Sequence, residues 1–153
     1  MKTIIAALTL ALAPTFAMAD GTHNMAMGGP AGHHKPTRTV KVVMKEDYHA
    51  DAVFVFEPKE LTFTAGETVR LHIVNEGEEV HEFVMDTMDS NAKHKAMMEK
   101  FPEMEHDDPN AVRLEPGEEA EILWTFGKPG TYEFACLLPG HYEGGMHGPL
   151  TIN

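Results

Sequence analysis

The chain has 153 residues, with 12 basic and 24 acidic side chains and a formal net charge of −12 when histidine is neutral. So acidic a surface repels nucleic acid, which excludes that class of partner. It suits metal cations or a basic protein, and it equally suits a solvated surface that binds neither. The only cysteine, Cys136, cannot form an intramolecular disulfide. It is therefore either a metal ligand or a buried core thiol.

Residues 1–19 predict an export signal. Lys2 precedes a short apolar run, and Ala17 and Ala19 fit the small-residue positions before a cleavage site. We expect a mature protein that begins at Asp20 and lies in the periplasm, with 11 basic and 24 acidic residues and a net charge of about −13. No stretch approaches the roughly 20 apolar residues that span a membrane, so we expect no membrane insertion and a soluble monomer.

The mature chain predicts a His/Met-rich flexible tail followed by one β-rich domain. Residues 20–37, "DGTHNMAMGGPAGHHKPT", have no aliphatic periodicity, and the folded domain is expected over 38–153. Short β-type runs then alternate with turn signals such as Ala65-Gly66 and Pro116-Gly117, which predicts an antiparallel sandwich or barrel. The runs are "RTVKVVM", "VFVFEP", "ELTFT", "ETVRLHIVN", "VHEFVM", "EAEILWTF", "TYEFACL" and "GPLTIN".

One segment departs from the β pattern. Residues 89–101, "DSNAKHKAMMEKF", are rich in helix formers, with a possible N-cap at Asp89 or Ser90 and with Pro102 just beyond the end. We expect a short helix inserted between two strands.

The last third of the chain contains candidate metal ligands. Strand alternation places Cys136 at the end of the core face of "TYEFAC", and His81 can point into the same end from "HEFVM". His141 and Met146 follow in a loop rich in Gly and Pro that can fold sharply around an ion. One thiolate, two imidazoles and a thioether suit copper. The alternatives are a plain core thiol, or zinc, whose structural sites usually have four strong ligands and no thioether.

These residues resemble the cupredoxin family of type 1 copper proteins over nearly all of 38–153. The similarity lies in "FEPKELTFTAGETVRLHIVNEG", in "NEGEEVHEF" and above all in "GTYEFACLLPGHYEGGMHGPLTI". It implies an all-β, cupredoxin-type Greek-key β-sandwich with a short helical insertion around 89–101. It also implies one copper ion that cycles between Cu(I) and Cu(II), with His81, Cys136 and His141 as equatorial ligands and Met146 as the axial ligand.

Two residues depart from the family pattern. Many cupredoxins have Asn or Ser after the upstream His, where its side chain braces the two ligand loops, but this chain has Glu82. The arrangement around the ligands, and with it the redox potential and colour, is therefore open. His147 follows Met146 and is a competing ligand, although its neighbours indicate that it points away.

An oxidase is the least favoured function. The same ligand spacing occurs in multicopper oxidases, which carry His on both sides of the Cys as ligands of a trinuclear copper cluster. Here the flanking residues are Ala135 and Leu137, and the chain is too short for several such domains. We therefore expect a protein that is not an enzyme.

Two functions remain: copper tolerance and electron transfer. Within the family, the chain resembles bacterial periplasmic copper-tolerance (CopI-like) cupredoxins, because its tail and insert are rich in His and Met, which suit additional copper ions. The alternative is an electron carrier between periplasmic redox partners, with an apolar docking edge at Leu137, Leu138, Pro139 and Tyr142 that would equally suit a copper-transfer protein. The candidate accessory ligands are His23, Met25, Met27, His33, His34, Met88, His94, Met97, Met98, Met104 and His106.

Overall fold

Two five-stranded β-sheets form the fold, in a computed structural model that describes residues 26–102 and 108–153. The first sheet has the order β1-β8-β5-β2-β3 and contains β1 (Gly28–Pro30), β2 (Arg38–Glu46), β3 (Phe54–Glu57), β5 (Thr68–Asn75) and β8 (Glu119–Phe126). The second has the order β4-β10-β9-β6-β7 and contains β4 (Leu61–Phe63), β6 (His81–Asp86), β7 (Ala111–Leu114), β9 (Gly130–Ala135) and β10 (His147–Ile152).

The all-β sandwich prediction is confirmed, but its strand pairing is mixed rather than purely antiparallel. β2 pairs with β5 and β4 pairs with β10 in parallel, while the other pairs are antiparallel. Strand alternation in the sequence shows which face of a strand is buried, but it does not show which strand lies beside it. The sequence pattern therefore could not predict that β2–β5 and β4–β10 pair in parallel.

Aromatic side chains join the two sheets in the core. Phe134 of β9 contacts Phe56 of β3, with ring centroids 5.1 Å apart, and Phe83 of β6, with centroids 5.9 Å apart. Phe63 and Phe126 stack with centroids 3.8 Å apart. Such ring pairs add to the stabilisation that burial gives. Since Phe134 lies two residues before Cys136 on the same strand face, this core supports the candidate metal centre.

Part of the segment predicted to be a flexible tail, residues 28–30, is a β-strand. Gly28–Pro30 forms β1, which pairs with β8, and Met27 is only 2% exposed in the core. Gly28 has φ of 120°, and an added Cβ would meet the Thr125 carbonyl oxygen at 2.0 Å, so this close approach requires glycine. An edge strand of three residues has no periodicity to detect, which explains the error.

The inserted helix is present, but its boundaries differ from the prediction. Helix α1 runs over Met88–Met98, and its N-cap is Thr87, whose Oγ1 accepts a hydrogen bond from the Ser90 amide at 3.2 Å. The predicted caps, Asp89 and Ser90, lie in its first turn. Met98 is buried, which orients the helix on the sandwich. No helix in the described part of the chain is long and apolar enough to cross a membrane.

Candidate metal centre

Three potential metal ligands meet at one end of the sandwich. His81 begins β6, Cys136 follows the last residue of β9, and His141 lies in the loop beyond it. His81 Nδ1 is 3.2 Å from His141 Nδ1, and Cys136 Sγ is 3.5 Å from the same His141 atom. His81 and Cys136 are fully buried, and His141 is 8% exposed. Among the described residues, only these three form a group of His, Cys, Asp or Glu donors within 4.8 Å of one another.

Backbone hydrogen bonds close the ligand loop, residues 137–145, around this point. The Cys136 amide donates to the Met146 carbonyl at 2.9 Å, and the Met146 amide donates to the His141 carbonyl at 3.0 Å. Met146 is fully buried. The peptide groups of the three predicted loop ligands are thus bonded in sequence, and these hydrogen bonds bring the residues together.

Phe54 is a site residue that the sequence analysis missed. Its ring stacks on the His141 imidazole, with centroids 4.2 Å apart and planes 4° from parallel. An added Cβ at Gly144 would meet the Phe54 ring at 2.4 Å. Gly145 has φ of 102°, and its Cβ would meet Ala52 at 2.4 Å. The loop glycines are therefore required so that the loop can lie against β3 and hold His141 in place.

Burial keeps the cysteine protonated when no metal is bound. It raises the pKa of the Cys136 thiol to about 12, although the amides of Glu82 and Leu138 act in the opposite direction. The Glu82 amide lies 3.3 Å from Sγ. Burial, followed by the neighbouring His81, also lowers the pKa of His141, so its imidazole is neutral and able to bind a metal. Because metals bind thiolate, metal binding must release the thiol proton.

Glu46, at the end of β2, lies behind the His81 ring. Its Oε1 is 2.8 Å from His81 Nε2, and its side chain is only 3% exposed. Burial acts to raise the pKa of Glu46, but hydrogen bonds from the Glu78 amide, the His81 imidazole and the Glu79 amide outweigh it and lower the pKa. A buried carboxylate therefore faces the outer nitrogen of this candidate ligand. The sequence analysis did not identify it.

Glu82 provides a different contact between the two ligand segments. Its amide is the one that approaches Cys136 Sγ, and its 4% exposed side chain accepts a hydrogen bond from the Leu137 amide. Burial is the main cause that raises the pKa of Glu82 to about 7. A glutamic acid thus joins the β6 segment to the ligand loop, at the position where many cupredoxins have Asn or Ser.

His147 lies outside the converging group, in agreement with the prediction that it points away. Its ring stacks on Tyr142, with centroids 4.2 Å apart, and its Nδ1 is 4.0 Å from Glu133 Oε1. The predicted apolar docking edge is wrong in part, because Leu137 and Leu138 are buried in the core. The surface beside His141 is an open cavity of about 430 Å³, and its lining combines Leu138 and Pro139 of that edge with charged residues, namely Glu78, Glu79, Glu115 and Arg113.

The candidate accessory ligands differ in how far their side chains are buried. Met27 and Met98 are core residues, which favours a packing role over metal binding. The side chains of His33, His34, Met88 and Met97 are exposed, and His94 is half-buried. His23, Met25, Met104 and His106 lie outside the described residues.

Comparison with known proteins identifies the family. The family model described as "Cupredoxin-like domain" matches residues 6–152. The chain belongs to the cupredoxin-like family. It is 43% identical over 125 residues to the copper-resistant cuproprotein CopI of Rubrivivax gelatinosus, covering 82% of this chain and 72% of that protein. It is 34% identical to the CopI of Pseudomonas aeruginosa, covering 89% and 87%.

The solved structure of auracyanin B matches this cupredoxin-like chain with a TM-score of 0.64 and 28% identity, covering 83% of this chain and 96% of that one. The residues of the candidate centre are consistent with a type 1 copper site: one buried sulfur and two imidazoles converge, and a buried Met lies next along the loop. A structural zinc site would need a fourth strong ligand. No fourth His, Cys, Asp or Glu donor joins the group within the described ranges.

Proposed function

We propose that the chain is an exported type 1 copper protein that acts in copper tolerance. The convergence of three buried donors, His81, Cys136 and His141, within 4.8 Å of one another is the observation that carries the copper-binding part of the proposal. In this proposal His81, Cys136 and His141 are the equatorial ligands, and Met146 is the weak axial ligand. When bound, copper supplies a one-electron couple between Cu(I) and Cu(II).

The protein's own residues prepare this site in three ways. Cys136 gives up its thiol proton to become the thiolate ligand, and the Glu82 amide is placed 3.3 Å from the sulfur to stabilise that charge. Phe54 holds the His141 ring by stacking. Burial of all the ligands except one edge of His141 would exclude water from a bound copper ion.

Copper tolerance is supported by the relatives named copper-resistant cuproproteins. A periplasmic location rests on the export signal expected over residues 1–19, which lies outside the described residues. A non-enzymatic role is part of the same proposal, because neither Ala135 nor Leu137 offers a ligand to a trinuclear copper cluster. The proposal also takes the protein as a monomer.

An electron carrier is the second candidate, and one observation favours it. His141 is the only proposed ligand with an exposed edge, and its Nε2 lies 3.6 Å from Glu79 Oε2 at the mouth of the acidic cavity. An electron could leave through this edge to a basic redox protein in the periplasm. The same surface would suit a copper-transfer partner.

Accessory copper binding remains a proposal for His33, His34, Met88, His94 and Met97, whose side chains are not in the core. We expect the mature chain to bind more than one copper at excess Cu(I), since thioethers and imidazoles are soft enough to bind it. Replacing Met88 and Met97 with Leu, and His33, His34 and His94 with Ala, should reduce the count toward one, as measured by copper analysis after gel filtration. A count of one in the unmodified chain would contradict accessory binding.

Growth of a strain that lacks the gene separates the two functions. For copper tolerance, we expect normal growth without added copper and inhibited growth with it, restored by the wild-type gene but not by Cys136→Ser. A respiratory defect without added copper would instead support electron transfer. Growth equal to wild type under both conditions would contradict both.

A further inference from the structure

We propose that Glu46 is a positioning residue of the copper site, which fixes the His81 ring with Nδ1 toward the metal and stabilises Cu(II) relative to Cu(I). The inference rests on the proposed copper function and adds to it a determinant of the redox potential. Glu46 is 35 residues before His81 and belongs to the other sheet.

The contact itself determines the form of the imidazole. A carboxylate accepts hydrogen bonds but does not donate them, so Nε2 of His81 must be the donor across the 2.8 Å contact. With Nε2 as the donor, the lone pair available to a metal is on Nδ1, the atom 3.2 Å from His141 Nδ1 inside the candidate centre. His81 is thereby ready to bind copper through Nδ1 before the metal arrives.

A turn of the backbone holds the carboxylate in place. The Glu78 amide donates to Glu46 Oε2 at 2.8 Å, and the Glu79 amide donates to Oε1 at 3.1 Å. At Gly77, an added Cβ would lie 2.6 Å from Oε2 and 2.8 Å from Oε1, so glycine makes room for the carboxylate. These three residues, 77–79, form the carboxylate cradle.

Asn75 fixes the cradle from inside the protein. This fully buried side chain donates to the carbonyls of Glu79 and Leu114, at 2.8 and 2.9 Å, and accepts from the Gly77 amide at 2.9 Å. Both polar atoms of the Asn75 side-chain amide therefore make hydrogen bonds. A turn supported in this way holds Glu46 against His81 more rigidly than an exposed glutamate could be held.

The charge of Glu46 favours the oxidised metal. Glu46 and the Cys136 thiolate together place two buried negative charges beside the metal. These charges neutralise Cu(II) but leave a net charge of −1 with Cu(I). Because both side chains are buried, solvent screens this difference poorly. Hydrogen bonding to a carboxylate also makes a ligating imidazole a stronger donor. Both effects lower the reduction potential.

Glu79 provides a control on the other histidine, because Glu79→Gln changes only the side chain and keeps the backbone amide that donates to Glu46 Oε1. The Glu79 carboxylate is 3.6 Å from His141 Nε2, beyond hydrogen-bond distance, and its side chain is 51% exposed. Glu46→Gln and Glu79→Gln each remove one carboxylate beside a proposed ligand. They differ in burial and in hydrogen bonding, which are the features on which the inference depends.

The first test is the reduction potential of the full chain loaded with copper. For Glu46→Gln, we expect the ratio of Cu(II) to Cu(I) affinity to fall at least about tenfold, which raises the potential by about 59 mV or more. For Glu79→Gln we expect less than about a twofold change. Gly77→Ala, which displaces the carboxylate but keeps its charge, should raise the potential by less than Glu46→Gln does. Equal shifts for the two Gln variants, or a lower potential for Glu46→Gln, would overturn the proposal.

The second test needs no copper and no variant. ¹⁵N NMR of the copper-free wild-type chain should show His81 protonated at Nε2 and unprotonated at Nδ1, with an Nε2 proton that exchanges slowly with solvent. Protonation at Nδ1 would overturn the inference even if Glu46→Gln does not fold. Failure of the wild-type chain to bind copper would contradict the proposed function instead, so the two failures are distinguishable.

Discussion

Replacing Cys136 with serine is expected to abolish the intense visible absorption that the wild-type chain shows with one equivalent of Cu(II). The band arises from charge transfer between thiolate and copper, and Cys136 is the only source of a thiolate in the chain. Serine nearly preserves the volume and can still accept from the Glu82 amide, which lies 3.3 Å from Sγ, so the copper-free fold should survive. Absorption titration with Cu(II) measures the loss, and chemical denaturation checks the fold.

Met146→Leu is the matched control for this experiment. The substitution conserves volume at a fully buried position and removes only the proposed weak axial ligand. We expect the colour to remain, with a changed potential, because the thiolate and both imidazoles are still present. A coloured Cys136→Ser complex, or a colourless wild-type complex with an ordinary Cu(II) spectrum, would contradict the type 1 assignment.

Glu82→Gln is expected to remove a large pH dependence of stability from the copper-free protein. The pKa of Glu82 is about 7 in the folded state, against an ordinary value of 4.5. Between these values the folded chain keeps a proton that the unfolded chain has lost, so the free energy of unfolding falls as pH rises toward 7. Two and a half pKa units correspond to about 3 kcal/mol. The stabilisation is complete below pH 4.5 and lost above 7.

Urea unfolding of both chains between pH 5 and 8 measures this effect. The stability of Glu82→Gln relative to wild type should increase by about 2.5 kcal/mol across that range, and the comparison cancels the contribution of other groups such as His141. Glu60→Gln, at an exposed position, controls for the loss of one carboxylate. If the free energy of unfolding depends on pH in the same way for wild type and Glu82→Gln, the pKa of Glu82 is not raised in the folded chain.

The sequence predicted the sandwich and the convergence of His81, Cys136 and His141, because both depend on local patterns. Alternation in β6 and β9 defines the face of each strand, and the glycines of the ligand loop allow it to turn back. Phe54 and Glu46 were missed because their roles depend on which strands become neighbours. Glu46 is one of many glutamates in a strongly acidic chain, and nothing in the sequence shows that the end of β2 lies beside His81.

Errors at the chain's start and in the insert have a similar origin. Met27 resembled a soft metal ligand in a Gly-rich tail, but pairing of β1 with β8 puts it in the core. Met98 and Met97 are adjacent in a helix, and only the packing of α1 on the sandwich decides that the first is buried and the second exposed. Residue composition is the same whether a methionine is buried or exposed. It therefore could not show which methionines pack in the core and which are accessible to a metal.

X-ray absorption at the copper edge of the wild-type chain, loaded with one equivalent of Cu(II), tests the central claim most directly. The account predicts one sulfur and two imidazole nitrogens in the first coordination sphere, supplied by Cys136, His81 and His141. A coordination sphere of nitrogen and oxygen alone would contradict it.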